Sequence, residues 1–362
     1  VFGKVMEVSG AATALARGIV NGLGAGQAIL AVVLSCALLT YGGVSLFVVA
    51  FAVYTLAVAL FRQAQISDRL IPAAIALGAF TFTMSALPGS PAIQNAIPMP
   101  YFGTTAFAAP GLGAIAGAIM ALGGLTYLAA MARAPRFAVS IAAKGAEVRR
   151  QGALPSLWVA ILPILAVFGA NWALSRHLLP ELELGYLGAV EWGGIGPEQV
   201  IGMWALIGAL ALAILLLLAL TWRRIAHPRD ALSTGSQAAL LPLFNTAALV
   251  GFGAVVAALP AFAALSDAIT AMPGGVLPSL AASASLLAGL TGSASGGMSI
   301  ALDTLGADYL AAAQAQGVDP AALHRIVALA TGGLDALPHN GAVVTLLGIA
   351  KLTHREAYGP IF

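Results

Sequence analysis

Two stretches of the chain, SALPGSPAI at 85–93 and DALPHNGAV at 335–343, break long apolar runs with the same Leu-Pro step and the same small polar residues. In the second, Asp335 stands four residues before His339. A carboxylate and an imidazole so placed can carry and release a proton, and an ionisable group inside a membrane is costly enough to count as a functional candidate. In the first, Ser90 precedes Pro91, an N-cap type followed by the residue favoured at the first helical position. Asn340 and Gly341 stand at the matching places. Each break, beside Pro88 and Gly89 in the first case, is therefore expected to restart a half-helix. Its free N–H groups present a positive dipole end that suits an anion. Gln94 and Asn95 add amides on the first restarted half-helix.

The elements that position these breaks follow from composition. Of 362 residues, 60% are hydrophobic and only 8% charged, against roughly 25% charged in a soluble domain. The chain cannot cover itself with polar surface, so it reads as an all-α polytopic membrane protein. The runs 155–179, 200–222 and 237–262 are each long enough to cross a hydrocarbon core of about 30 Å. Lys and Arg fall into a few short segments, and acids without nearby cations collect at Glu181, Glu183, Glu191 and Glu198 and at Asp303, Asp308 and Asp319. The positive-inside rule puts the first group in the cytoplasm and the second outside. Arg176 and Arg325 fall on the wrong side, near expected helix ends where they can snorkel.

Walking along the chain with these charges gives a repeated path. The run 26–61 has both ends inside and is broken at TYGGVS, so it reads as a re-entrant hairpin. Residues 70–97 cross outward and are broken at LPGSP. A helix at 105–132 returns, and 133–154 is a basic connector. Residues 155–179 form a scaffold span, and 180–199 an acidic external loop. Residues 200–222 cross inward and 237–258 outward. The run 276–304, broken at TGSASGGMS, reads as a second hairpin entering from outside, and 320–350 crosses inward, broken at DALPHNG. GGVSL at 42–46 matches GGMSI at 296–300. The expected organisation is a first inverted repeat over 1–132, a connector, scaffold and loop over 133–199, and a second repeat over 200–362. Paired interruptions in inverted halves point to a secondary transporter's site near the bilayer midplane. Candidate tip residues are Gly42, Gly43 and Ser45 in the first hairpin and Ser295, Gly296, Gly297 and Ser299 in the second.

Bland readings apply to other polar residues: Asn171 and Asn245 as interhelical hydrogen-bonding groups, Thr81 and Thr83 as side chains bonded back to their own helix. The charge of +2 is topological and implies no nucleic-acid partner. The single Cys36 excludes an intrachain disulfide, and the five scattered His give no metal spacing. No G-x-S-x-G, H-E-x-x-H or phosphate loop is present, so the sequence offers neither an enzyme nor a cofactor site. Val1 is not an initiator, and nothing near it reads as a cleavable signal peptide.

ALGAFTFTMSALPGSPAIQNAIPMPYFGTT (76–105), LTYGGVSLFVV (39–49), TGSASGGMSIALD (291–303) and DALPHNGAVVTLLGIAKLTH (335–354) resemble the gluconate:proton symporter (GntP) family of bacterial permeases. The first half is similar to the 3-hydroxybutyrate permease subgroup. The resemblance implies an ion-transporter-type fold with elevator-like movement on a homodimeric scaffold. It also implies proton-coupled uptake of a small hydroxy-carboxylate across the bacterial inner membrane. One or two helices would precede Val1, and a final helix would follow Phe362. Ser85 stands where the resemblance leads one to expect Asp, which leaves Asp335 as the acid of the paired breaks. Three rivals are sodium coupling on the same fold, through carbonyls beside Ser295 and Asn340, a passive anion channel, and an intramembrane enzyme, for which no acid–base pair with a nucleophile stands out.

Overall fold

The computed structural model describes residues 1–137, 154–240, 243–244, 247–248, 251–252, 255, 258–260, 274–334 and 336–362. Asp335, Asn245, most of the basic connector at 133–154 and part of the expected crossing at 237–258 lie outside them. The regular structure of the described residues is helical throughout. In chain order the helices are α1 (Phe2–Val8), α2 (Ala11–Leu23), α3 (Ala28–Tyr41), α4 (Leu46–Gln63), α5 (Ile71–Phe80), α6 (Phe82–Ser85), α7 (Ile93–Ala96) and α8 (Pro98–Phe102). They continue with α9 (Pro110–Arg133), α10 (Leu157–Ala173), α11 (Pro197–Thr221), α12 (Pro228–Gln237), α13 (Val276–Thr291), α14 (Ala294–Ala315), α15 (Pro320–Leu334), α16 (Gly341–Ala350) and α17 (His354–Ala357).

Among the described residues, Pro110–Arg133, Leu157–Leu178 and Val190–Thr221 are long and apolar enough to cross a membrane. Their outward faces are greasy: Ile115 and Ile119 of α9 and Leu215 of α11 are all more than 60% exposed. Leu174, just past the end of α10, lies against Gly208 of α11, where these two helices pack together. Trp158 and Trp172 lie near the two ends of α10, and Trp204 and Trp222 lie toward the two ends of α11. Trp204 and Trp222 are separated by about 27 Å of helix. Two aromatic levels at that spacing match the two interfaces of a bilayer. Composition, span length and tryptophan placement together define a polytopic membrane protein.

Two short turns join helices within the regions read as hairpins. The first joins α3 to α4 through Gly42–Ser45, with Gly43 at φ 88°, a left-handed conformation that glycine adopts without a Cβ clash. The second joins α13 to α14 through Gly292, at φ 63°, and Ser293, whose side chain accepts from the Gly296 amide at 3.1 Å.

The second tip therefore sits earlier than the GGMSI motif, and the pairing of GGVSL with GGMSI is corrected. Gly296 and Gly297 lie inside the first turns of α14, not at the tip. A Cβ on Gly297 would fall 2.2 Å from the Ala288 nitrogen and 2.3 Å from its Cα. The backbones of α13 and α14 touch there, as small residues allow between membrane helices. The hairpin also extends to Ala315, past the expected 304.

Two interruptions lie at the Leu-Pro stretches. The first separates α6 from α7, with α7 and α8 following as two short turns that end at Gly103 in the left-handed region. The second separates α15 from α16. Buried apolar residues fall into two main clusters, and each interrupted helix contributes to both. Residues of α1–α6 form the first, joined by Val343, Leu346 and Leu347 of α16. Residues of α13, α14 and α15 form the second, joined by Phe102 of α8. The breaks thus mark where each chain segment leaves one core and enters the other.

Candidate functional site

The first break begins where α6 ends at Ser85 and turns through Pro88 and Gly89. Gly89 has φ 81°, and a Cβ there would meet the Phe107 ring at 2.7 Å and the Phe168 ring at 2.9 Å. Its amide donates to the Ala106 carbonyl at 2.8 Å. Tyr41, at the end of α3, donates its hydroxyl to the Pro88 carbonyl at 2.7 Å. A Cβ on Gly43 would lie 3.0 Å from Pro91 Cγ. The first hairpin tip and the first break are therefore in contact, through Gly43 on Pro91 and Tyr41 on Pro88. Gly42 faces away from the break and packs on Ile164 of α10. Ser45 is exposed, with its backbone beside Gly3 of α1.

Ser90 is not the N-cap of the restarted helix. That place belongs to Ala92, because α7 starts at Ile93. Ser90 instead closes a local turn, accepting the Ala92 amide at 3.3 Å. Asn95 also differs from expectation. It is fully buried, with its amide hydrogens on the Ser90 carbonyl at 2.8 Å and the Ala106 carbonyl at 2.9 Å, and its Oδ1 3.0 Å from His324 Nε2. With its amide group engaged on all sides, Asn95 braces the break and has no hydrogen free for a substrate. Its neighbour Gln94 is 7% exposed and has an Oε1 without a partner among the described residues. Thr40 Oγ1, at the first hairpin tip, is buried and unpartnered in the same sense. Buried polar atoms are nearly always bonded, so two orphans near one break are available to a ligand.

Sequence reasoning missed the partners from α15. His324 and Arg325 are both fully buried. The Asn95 orientation makes His324 Nε2 the donor, so in the neutral ring Nδ1 accepts from the Thr104 hydroxyl at 2.6 Å. Arg325 does not snorkel from a helix end. Its guanidinium bonds the Ala106, Ala108 and Ser85 carbonyls. One turn before the second break, a Cβ on Gly332 would lie 3.3 Å from Ser85 Oγ. Thus α15 brings the second half of the chain against the first break.

The second break repeats the plan with different groups. Asn340 caps α16, its Oδ1 accepting from the Ala342 and Val343 amides at 2.7 and 3.2 Å. Its Nδ2 donates to the Gly292 carbonyl at 2.9 Å, and His339 Nε2 bonds the Gly289 carbonyl at 3.1 Å. The second hairpin tip therefore grips the second break. The Pro338 carbonyl takes His354 Nε2 at 2.8 Å, as the Pro88 carbonyl takes Tyr41. His339 and Gly341 are exposed, whereas Gly89 and Ser90 are buried, so this break is open on one side and the first is closed over. Ser295 is half-buried beside Ser293, and Ser299 is buried in α14.

A cavity of about 390 Å³ lies beside the first break, walled by Tyr41, Pro88, Phe107, Pro110, Phe168 and Trp172, with Arg176 on its lining. Its size suits a small molecule. Asn171 of α10, expected to bond between helices, is 1% exposed with neither amide atom partnered among the described residues. Thr81 and Thr83 bond back to the Leu77 and Gly78 carbonyls of α5, the helix just before them.

The architecture so described is a helical polytopic membrane protein with two polar breaks at the junction of two cores. The chain is 41% identical, over 385 aligned positions, to the uncharacterized transporter YxjC of Bacillus subtilis (strain 168), covering all of this chain and 80% of that protein. It belongs to that transporter family. No protein-family model matches it, and no solved structure matches it.

Proposed function

We propose that the chain is a secondary active transporter of the gluconate:proton symporter type. It would import a small hydroxy-carboxylate with a proton across a bacterial inner membrane. The observation that carries this reading is the doubled contact of hairpin tip and helix break, Tyr41 on Pro88 and Asn340 on Gly292. Each half offers unwound backbone at a helix restart, held by its own hairpin. That is the arrangement by which membrane transporters meet ions and anions without exposing backbone to lipid. Read as inverted repeats, the halves carry the two breaks past a scaffold formed by α10 and α11.

The carboxylate is assigned to the backbone N–H groups around Ser90 and Asn340, with the substrate hydroxyl near Gln94. The proton is assigned to Asp335 and His339. His339 supports this: its Nε2 is held by Gly289 while its ring is exposed. The aromatic walls beside the first break favour a 3-hydroxybutyrate-like acid over gluconate. Each sugar-acid hydroxyl buried there without a partner would cost about 1–3 kcal/mol.

The test is uptake of labelled 3-hydroxybutyrate and gluconate into proteoliposomes under an inward proton gradient, without sodium and with voltage clamped. Accumulation of 3-hydroxybutyrate above gluconate is expected. One proton with one monocarboxylate moves no net charge, so the rate should ignore voltage; a second proton would add about 2.3 kcal/mol per 100 mV. Accumulation that requires sodium and ignores the proton gradient would replace the coupling ion. Flux that never exceeds equilibration under any gradient would make the protein a channel.

A further inference from the structure

Arg325 is the largest fully buried side chain among the described residues. Its Nε donates to the Ala108 carbonyl at 3.2 Å, and one terminal nitrogen donates to Ala108 at 2.9 Å and Ala106 at 3.3 Å. The other terminal nitrogen reaches the Ser85 carbonyl at 3.4 Å. These oxygens come from both flanks of the first break: the end of α6 and the loop after α8. A guanidinium stays protonated in proteins and carries five N–H donors. A buried charge is costly unless it is paired or its donors are bonded. The ion pair found among the described residues joins Lys4 to Glu7, far from Arg325 in sequence. Among the described residues, the Arg325 charge is therefore stabilised by carbonyl dipoles and meets no acid within ion-pair distance.

The neighbouring helix is shaped around this group. A Cβ on Gly113 of α9 would fall 2.4 Å from the Ala86 carbonyl oxygen and 3.1 Å from Arg325 Nε. Glycine there lets α9 close over the guanidinium. Converging backbone carbonyls at a helix break are also the donors that hold a monovalent coupling cation in transporters. The second break has no equivalent among the described residues. Its Pro338 and Ala336 carbonyls are met by His354 and Tyr358, and its own His339 and Asn340 bond the Gly289 and Gly292 carbonyls of the hairpin; none of these four groups is permanently charged.

Resting on the transporter reading above, we propose that Arg325 is the resident cation of the first break. Its guanidinium fills a carbonyl cage that would otherwise take a coupling ion, so this half keeps one positive charge beside the anion without binding an ion. Coupling is then confined to the second break.

The test uses Arg325→Ala, Arg325→Met and Arg325→Lys in the full chain. Thermal unfolding in detergent is followed with low-millimolar guanidinium chloride or equal potassium chloride. The Ala variant, with an emptied cage, should be stabilised by guanidinium and not by potassium, and the wild type by neither. In proteoliposomes the Met variant, which fills the space without charge, should lose roughly tenfold or more in uptake. The Lys variant should retain more than Met. A folded Met variant with wild-type uptake, or an Ala variant with no guanidinium-specific shift, overturns the proposal. The thermal shift needs no substrate, so failure of the wild type to transport would count against the proposed function alone, with the cage still decided by the shift.

Discussion

The Tyr41 hydroxyl donates to the Pro88 carbonyl at 2.7 Å, joining the end of α3 to a break 47 residues further along the chain. Proline at 88 ends the helix, and the carbonyls freed by the interruption need donors that lipid cannot supply. Tyr41→Phe removes one such donor while keeping the ring that lies near Phe168. The expected cost is about 1 kcal/mol, the usual net value of a neutral hydrogen bond. Thermal unfolding of the purified variant checks the stability, and initial uptake rates check function. A variant with unchanged stability and unchanged uptake would show that the hairpin does not need this tie.

Gly297 and Gly341 make opposite predictions although both flank a polar break. Gly297→Ala puts a methyl group 2.2 Å from the Ala288 backbone nitrogen, so α13 and α14 must separate. Losses of several kcal/mol follow overpacking of this kind against rigid backbone, and the variant should fail to accumulate in the membrane or unfold early. Gly341→Ala meets nothing within 4 Å and lies at the first residue of α16. It should fold as the wild type does. If substrate approaches the backbone at this helix start, Gly341→Ala raises KM at unchanged thermal stability. An unchanged KM would remove Gly341 from the binding surface.

The places where helices end and restart were legible because Pro and Gly punctuate apolar runs that otherwise read as continuous helix. The position of the second tip was not. A glycine that enters a turn, such as Gly292 at φ 63°, and one that permits helix contact, such as Gly297, look identical in sequence. The GG pairs drew the register to the wrong one. Arg325 was unreadable for a different reason. Its partners Ala106 and Ala108 lie 219 and 217 residues away and offer backbone carbonyls, which leave no side-chain signature. Asn95 read as a free amide because its partner His324 is 229 residues distant.

Asn340 holds the second break in two ways, and its two atoms can be separated by substitution. Its Oδ1 caps α16 through Ala342 and Val343, while its Nδ2 reaches the Gly292 carbonyl on the hairpin tip. Asn340→Asp retains the capping acceptors and loses the donor. Asn340→Ala loses both and should cost about 1 kcal/mol more through the cap alone. The expected order of thermal stability is wild type, then Asp, then Ala. If Asp is as stable as the wild type but transports poorly, the Gly292 tie serves movement of the hairpin and not folding. Equal stability of all three would remove the cap as a determinant of the break.

Asp335 and His339 carry the coupling prediction. His339 is fixed through Nε2 to the Gly289 carbonyl, so a second proton must enter at Nδ1. Asp335→Asn removes the acid while retaining an amide of nearly the same shape. The expected result is loss of accumulation against a gradient, with exchange of labelled for unlabelled substrate preserved, because exchange moves the loaded site without releasing a proton. His339→Gln should keep the Gly289 contact through its side-chain amide and flatten the pH dependence of net uptake. Both assays belong on the same vesicle preparation, so that the amount and folding of protein are common to them. Concentrative uptake by Asp335→Asn at the wild-type rate would move the proton elsewhere, and loss of exchange along with uptake would make Asp335 a binding or folding residue.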